Sequence, residues 1–261
     1  MPVDTAVGDP WGPLTGSRPR PAAPLWVAMY HSVTHTTDDP YRITVSPRRF
    51  ERQLRWLRRR GLKGVSMAEL IRARTAGTVQ GLVGLTFDDG YADFTAEALA
   101  LLRRYECTAT VFVLPGLLGS TNEWDPLGPR KPLLDERGIQ QAATWGMEVA
   151  SHGLRHLDLT HADEDTLRRE VHESRQLLLD LVGHDVAGFC YPYGAVDLRA
   201  VAAVRAAGYQ YACAIDPGPL TGRYALPRVH VGERDTAWRL HLKRALHRWR
   251  RHEPADLPEG P

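Results

Sequence analysis

The chain has 261 residues, 43% hydrophobic and 25% charged, so it can bury a substantial core at a length usual for an α/β barrel. A formal charge of +2 and the lack of a recognition motif argue against nucleic acid as a partner. Three cysteines, Cys107, Cys190 and Cys213, are too few and too widely spaced for a disulfide framework or a zinc knuckle.

Residues 1–24 are rich in Pro and Gly and lack the apolar centre of a secretory leader, so they are expected to form a loose tail. With no apolar run of about 18 residues, a membrane span is not expected and the chain is expected to be cytoplasmic. A single catalytic domain is expected over 25–252, with a second tail over 253–261. Residues 25–30 (LWVAMY) read as a strand ending at His31. Ser46 and Pro47 open a helix whose apolar face is Phe50, Leu54 and Leu57 and which Gly61 stops. Its arginines at 48, 49, 52, 55 and 58–60 read as a solvated outer face. Ser66 and Glu69 form a capping box for a second helix.

Strand and helix patterns then alternate. Strands are expected at 81–87, 108–114, 147–151, 187–191, 209–215 and 224–231, seven with the first. Helices are expected around the Phe94, Ala98, Leu101, Tyr105 stripe and at 135–145, 163–182, 196–207 and 235–251. This order predicts a parallel sheet with helices outside it, an irregular, TIM-like α/β barrel of about seven strands. On the last helix Trp238, Leu242, Ala245 and Trp249 make an apolar stripe among basic residues. Packing against the barrel is the reading taken, and contact with an anionic membrane surface is the alternative.

Chemistry in such barrels sits at the C-terminal ends of the strands, which here carry His31, Asp88 and Asp89, His152 and His156, Tyr193 and His230. Two adjacent aspartates in LTFDDG need positive compensation, which a divalent cation supplies if one is a ligand and the other stays a base. His152 and His156, in SHGLRH, have the spacing that puts two imidazoles on one side of a helical turn. One carboxylate and two imidazoles leave a coordination position open, as in catalytic zinc sites. In FCYPYG the Pro and Gly make a rigid turn whose Tyr193 N–H could face a developing oxyanion.

Together, TFDDG (86–90), the His152/His156 pair and YPYG (191–194) resemble the motifs of the polysaccharide deacetylases with a NodB-homology domain, carbohydrate esterase family 4. The resemblance runs from about Leu25 to Val231 and is supported by ATVFV (109–113) and MEVASH (147–152). It implies a NodB-type irregular (β/α) barrel and metal-dependent removal of an acetyl group from an N-acetylated sugar. It implies that Asp89, His152 and His156 bind the metal, Zn2+ most often and Co2+ or Ni2+ in some members, and that Asp88 is the general base. The family's base-orienting arginine is replaced by Cys190, and Arg228 in LPRVHV is the candidate substitute. For the general acid, MYHSV (29–33) resembles the Met-Tyr-His stretch of the poly-N-acetylglucosamine deacetylases and favours His31 over His230. Tyr91 and Trp124 are candidate substrate-facing aromatics. Two alternatives are a cytosolic amidohydrolase acting on a small or cyclic amide, and a silent barrel that only binds.

Overall fold

The structure is a computed structural model that describes residues 25–247. Its expected tails, over 1–24 and 253–261, lie outside those residues, as does Trp249. The barrel strands are β1 (Val27–Tyr30), β5 (Leu82–Phe87), β6 (Thr110–Val113), β7 (Glu148–Ser151), β8 (Gly188–Cys190) and β9 (Tyr211–Ala214), and each pairs parallel with its neighbour in the order β9-β8-β7-β6-β5-β1. The last expected strand is split into β10 (Leu226–Pro227), which pairs with β9, and β11 (Val229–His230), which pairs with β1. Two consecutive pieces of one segment thus lie on the two ends of the sheet. The sheet nearly closes into a barrel, with Arg228 at the seam.

Three short strands were not expected. β2 (Ser32–Val33) and β3 (Thr44–Val45) pair as a separate ribbon after β1, and β4 (Lys63–Val65) pairs with the N-terminal half of β5. With two or three residues each, they are too short to show a periodicity.

Helices cover the outside. α1 (Pro47–Arg59) starts as expected, with the Ser46 hydroxyl accepting from Arg49 N, and the Ser66 hydroxyl accepts from Glu69 N to cap α2 (Met67–Thr75). α3 (Leu99–Arg104) follows a single π turn, and α4 (Glu136–Thr144), α5 (Glu164–Val182) and α6 (Leu198–Ala206) follow β6, β7 and β8. Gly183, at φ 69°, ends α5 in the left-handed conformation that glycine adopts without strain.

Alternation along the strands separates two apolar layers. Tyr30, Leu85, Phe87, Val111, Val113, Val149 and Phe189 belong to the larger cluster, with Phe50, Leu54 and Leu57 of α1. Val27, Phe112, Ala150, Cys190, Tyr211, Cys213 and Leu226 belong to a smaller one, which Met67 and Leu70 of α2 complete. Gly84 lets α2 approach: a Cβ there would lie 3.0 Å from the Met67 sulfur.

The last helix, α7 (Ala237–His247), packs on α1, but not with the stripe expected to face the barrel. Leu240 and His247 are its buried residues, whereas Trp238 is 69% exposed and Leu242 and Leu246 are also exposed. The buried Leu240 lies two positions from both Trp238 and Leu242, about 160–200° around the helix, so the expected stripe is the outward one. No described helix is long and apolar enough to cross a membrane.

Candidate metal centre and catalytic pocket

β5 delivers both aspartates, and the backbone then separates them. Asp88 continues the ladder, its N–H donating to Tyr30 O, and its side chain shares a strand face with Thr86. Had the strand continued, Asp89 would point the other way, with Phe87. Instead Asp89 has φ 70° and Gly90 φ 66°. Two successive left-handed residues turn the chain and bring the Asp89 carboxylate into the pocket. A Cβ on Gly90 would lie 3.0 to 3.2 Å from Val113, so the tight approach requires glycine here.

His152 continues β7, its N–H donating to Val113 O. Its Nδ1 lies 2.8 Å from the Cys190 carbonyl oxygen. A carbonyl can only accept, so Nδ1 carries the proton and Nε2 presents its lone pair. That Nε2 is 3.3 Å from Asp89 Oδ1, and His156 Nε2 is 3.3 Å from the same oxygen. No helical turn brings the two imidazoles together, contrary to the reading from their spacing: 152–158 is irregular, with Gly153 at φ 83° and His156 at φ 63°. The loop is held from α5, where buried Glu170 Oε2 accepts from Leu154 N at 2.7 Å and Arg155 N at 3.0 Å. Sequence reasoning missed Glu170, which reads there as one more charge on a helix.

All three side chains are buried, and Asp89 Oδ1 and His156 Nδ1 have no hydrogen-bond partner. Burial pushes the Asp89 carboxyl up, but His152 and His156 outweigh it and hold the group well below the ordinary carboxylate range. Burial pushes the His156 imidazole down, toward its neutral, ligating form. A buried, ionised carboxylate needs positive charge beside it, from protons on the two imidazoles or from a cation between the three groups. The donor atoms lie within 4.8 Å of one another, so the residues fit a divalent cation with a position left open. Asp88, His152 and Cys190 meet the same distance criterion. They fit a cation less well, because a guanidinium already neutralises that side and burial pushes the Cys190 thiol far up.

That guanidinium is Arg228. One of its terminal nitrogens donates to Asp88 Oδ1 at 2.5 Å and to Thr86 Oγ1. The other donates to Asp88 Oδ2 at 2.8 Å and to Cys190 Sγ at 3.0 Å. Burial pushes the Asp88 carboxyl up, and Arg228 more than offsets it. Arg228, the candidate substitute for the arginine replaced by Cys190, reaches Asp88 from the seam rather than from β8. Arg228 was expected within the strand 224–231, and nothing in that reading pointed to a break in the strand at a seam.

Both candidate acid histidines are nearby. His31 Nε2 lies 3.9 Å from Asp88 Oδ2, and the His230 ring centre is 6.3 Å from that of His31. Burial, then the neighbouring His31, push His230 down.

The walls are aromatic. Trp124 stacks on His156 with ring centres 4.5 Å apart, and Tyr193, 54% exposed, meets the same ring edge-on at 4.5 Å. Tyr193 has φ 59°, so the rigid turn read from YPYG is left-handed at that residue. Tyr91 does not fit its expected role. At 1% exposure it offers no face to a ligand, and its hydroxyl points to Asp125 Oδ2 at 3.4 Å. The strand-end glycine turn buries this ring behind the pocket, where the sequence suggested a surface. The loop bearing Trp124 is tied down by buried Lys131, which donates to Ser32 Oγ at 2.9 Å and to Thr44 Oγ1, beside His31.

Comparison with known proteins agrees with this architecture. The family model described as polysaccharide deacetylase matches residues 75–212. A Bacillus subtilis chain assigned to the polysaccharide deacetylases, YxkH, is 27% identical over 214 residues, covering 80% of this chain and 72% of its own length. The Staphylococcus aureus poly-β-1,6-N-acetyl-D-glucosamine N-deacetylase is 25% identical over 200 residues, covering 73% of this chain and 68% of its own. Among solved structures, a Streptococcus pyogenes deacetylase in complex with acetate superposes with a TM-score of 0.72 at 23% identity, over 84% of this chain and 97% of that one. A de-N-acetylase from Aggregatibacter actinomycetemcomitans gives 0.73 at 19% identity, over 84% and 99%. With more than half of its length matched by the family model, the chain belongs to the polysaccharide deacetylase family.

Proposed function

We propose that the protein is a metal-dependent hydrolase that removes N-acetyl groups from an amino-sugar substrate. The observation that carries this reading is the Asp89 carboxylate, buried between two imidazole nitrogens at 3.3 Å, beside a second carboxylate held by a guanidinium. Asp89, His152 and His156 would hold the cation, Zn2+ being the best match to one oxygen and two nitrogen donors. When bound, it would supply Lewis acidity, polarising the acyl carbonyl and lowering the pKa of water.

This chain's own residues account for the proton movements. Asp88 is the general base, removing a proton from the attacking water. Arg228 keeps Asp88 ionised and aimed, which also makes it a weaker base. His31, protonated, delivers a proton to the departing nitrogen, and its approach to Asp88 supports it over His230. Trp124 and Tyr193 flank His156 and form the walls against which a sugar ring would lie, and the Tyr193 N–H is the candidate donor to the oxyanion. The products are acetate and a free amine.

The family and the Staphylococcus aureus relative support a polymer of N-acetylglucosamine as the first substrate to test. Acetate release from N-acetylglucosamine oligomers should stop on chelation and return with Zn2+. Asp88→Asn should lower kcat by roughly 10²–10⁴-fold in a folded protein. Near wild-type activity in Asp88→Asn, or in the chelated enzyme, would refute the mechanism. Release from cyclic imides alone would redirect the substrate to a small amide.

A further inference from the structure

Outside the pocket, the chain concentrates positive charge and exposed apolar surface on one flank. From Arg48 to Arg60, α1 and the residue that caps its C-terminus carry seven arginines and one acid, Glu51. α7 adds Arg239, Lys243 and Arg244 with no acid between Ala237 and His247. The helices adjoin: Arg60 contacts His241 at 3.2 Å, and Gln53 donates to the Gly232 and Asp235 carbonyls just ahead of α7. Between them lies a cavity of about 360 Å³ lined by Arg49, Arg52, Arg55 and Arg59, with Gln53, Trp56, one carboxylate, Asp235, and Ala237. The next residue, Trp238, begins an outward ridge that continues at i+4 and i+8 through Leu242 and Leu246, all three exposed.

We propose that this flank docks on a bilayer of anionic phospholipid. Trp238, Leu242 and Leu246 would enter the headgroup boundary, and the arginine-lined cavity would take a lipid phosphate. The arrangement meets the physical requirements of an interfacial helix: an apolar ridge pointing away from the core, cationic flanks and an indole at one end. Charge decides between occupants. A second copy meeting this one through the same face would set the α1 arginines against each other, whereas anionic lipid neutralises them. Of the charges on this flank, Arg55 is shared with Glu51, Arg239 and Lys243 with Asp235 and Arg49, at 3.7 Å, with Glu233, while no described acid pairs with Arg52 or Arg59.

The test is sedimentation of the full chain with vesicles of phosphatidylcholine, with or without phosphatidylglycerol. The protein should pellet only with the anionic vesicles and be released by salt. Trp238→Ser should weaken binding by about tenfold. Arg52→Gln and Arg59→Gln should each weaken it about fivefold. Unfolding midpoints near wild type would show that these exposed substitutions leave the fold intact. Equal binding to neutral vesicles, no binding, or variants that bind like wild type would overturn the proposal. Release by inorganic phosphate at matched ionic strength would reassign the cavity to soluble phosphate. A dimer in solution that Trp238→Ser abolishes would reassign the ridge to a second copy.

Discussion

Asp88 and Asp89 are adjacent in sequence and occupy different electrostatic environments: one faces a guanidinium and the other two imidazoles. The left-handed backbone at Asp89 makes that division possible. Arg228 is therefore expected to matter twice. Arg228→Met leaves Asp88 buried without its counter-charge and should cost about 3–5 kcal/mol, read from urea unfolding at neutral pH. Arg228→Lys keeps the charge but loses the two-pronged geometry, so stability should recover further than kcat does. An unchanged unfolding midpoint in Arg228→Met would contradict the pairing. His230 gives a pH prediction. Its pKa is depressed in the folded state by burial and by His31, and Lys243 pushes the same way while Asp235 opposes. The unfolded chain then binds the proton more readily. Its contribution to stability is present above the ordinary histidine pKa of about 6.5 and is lost as pH falls through the lower folded value. His230→Asn should flatten the fall in stability measured by urea titration on the acid side. Residue types at the site were legible in the sequence because strand ends and motifs named them. Arg228 was named there as the candidate partner of Asp88, but its two-pronged grip across the seam was not legible, since the two residues are 140 positions apart.

At the scale of elements, the second layer around the site comes from helices and loops rather than from strands. Glu170 of α5 accepts the N–H groups of Leu154 and Arg155 and so sets the path of the loop that ends in His156. Glu170→Gln should cost about 1–3 kcal/mol in thermal or chemical unfolding, because one buried carboxylate acceptor is replaced by a poorer one. It should also weaken Zn2+ uptake by roughly 10–100-fold through misplacement of His156. Intact uptake in a destabilised variant would mean that the loop finds its path without Glu170. Helix starts were readable because capping is local: Ser46 and Ser66 cap helices three residues away. The spacing of His152 and His156 was readable but pointed to the wrong geometry. Positive-φ residues at 153 and 156 do what a helical turn was expected to do.

At the scale of the whole molecule, segment 226–230 decides the architecture. β10 joins one end of the sheet, β11 joins the other, and Arg228 between them points at Asp88. The segment that closes the sheet thus also carries a residue of the site. A cation bound by Asp89, His152 and His156 should stabilise the folded chain by mass action. The thermal midpoint should rise with Zn2+ concentration and fall on chelation, and substituting Asp89→Asn should abolish that dependence. A midpoint indifferent to Zn2+ in the wild-type chain would argue against the ligand set.

The sequence by itself determined the alternation of strands and helices, the helix caps and the residue types at the strand ends, because each depends on neighbours within a few positions. Only the tertiary structure decided which faces met: the burial of Tyr91, the outward turn of Trp238 and Leu242, the hold of Glu170 on the His156 loop, and the reach of Arg228 across the seam. The physical reason is that burial and charge pairing depend on distances in space, which closure of the sheet sets between segments far apart along the chain.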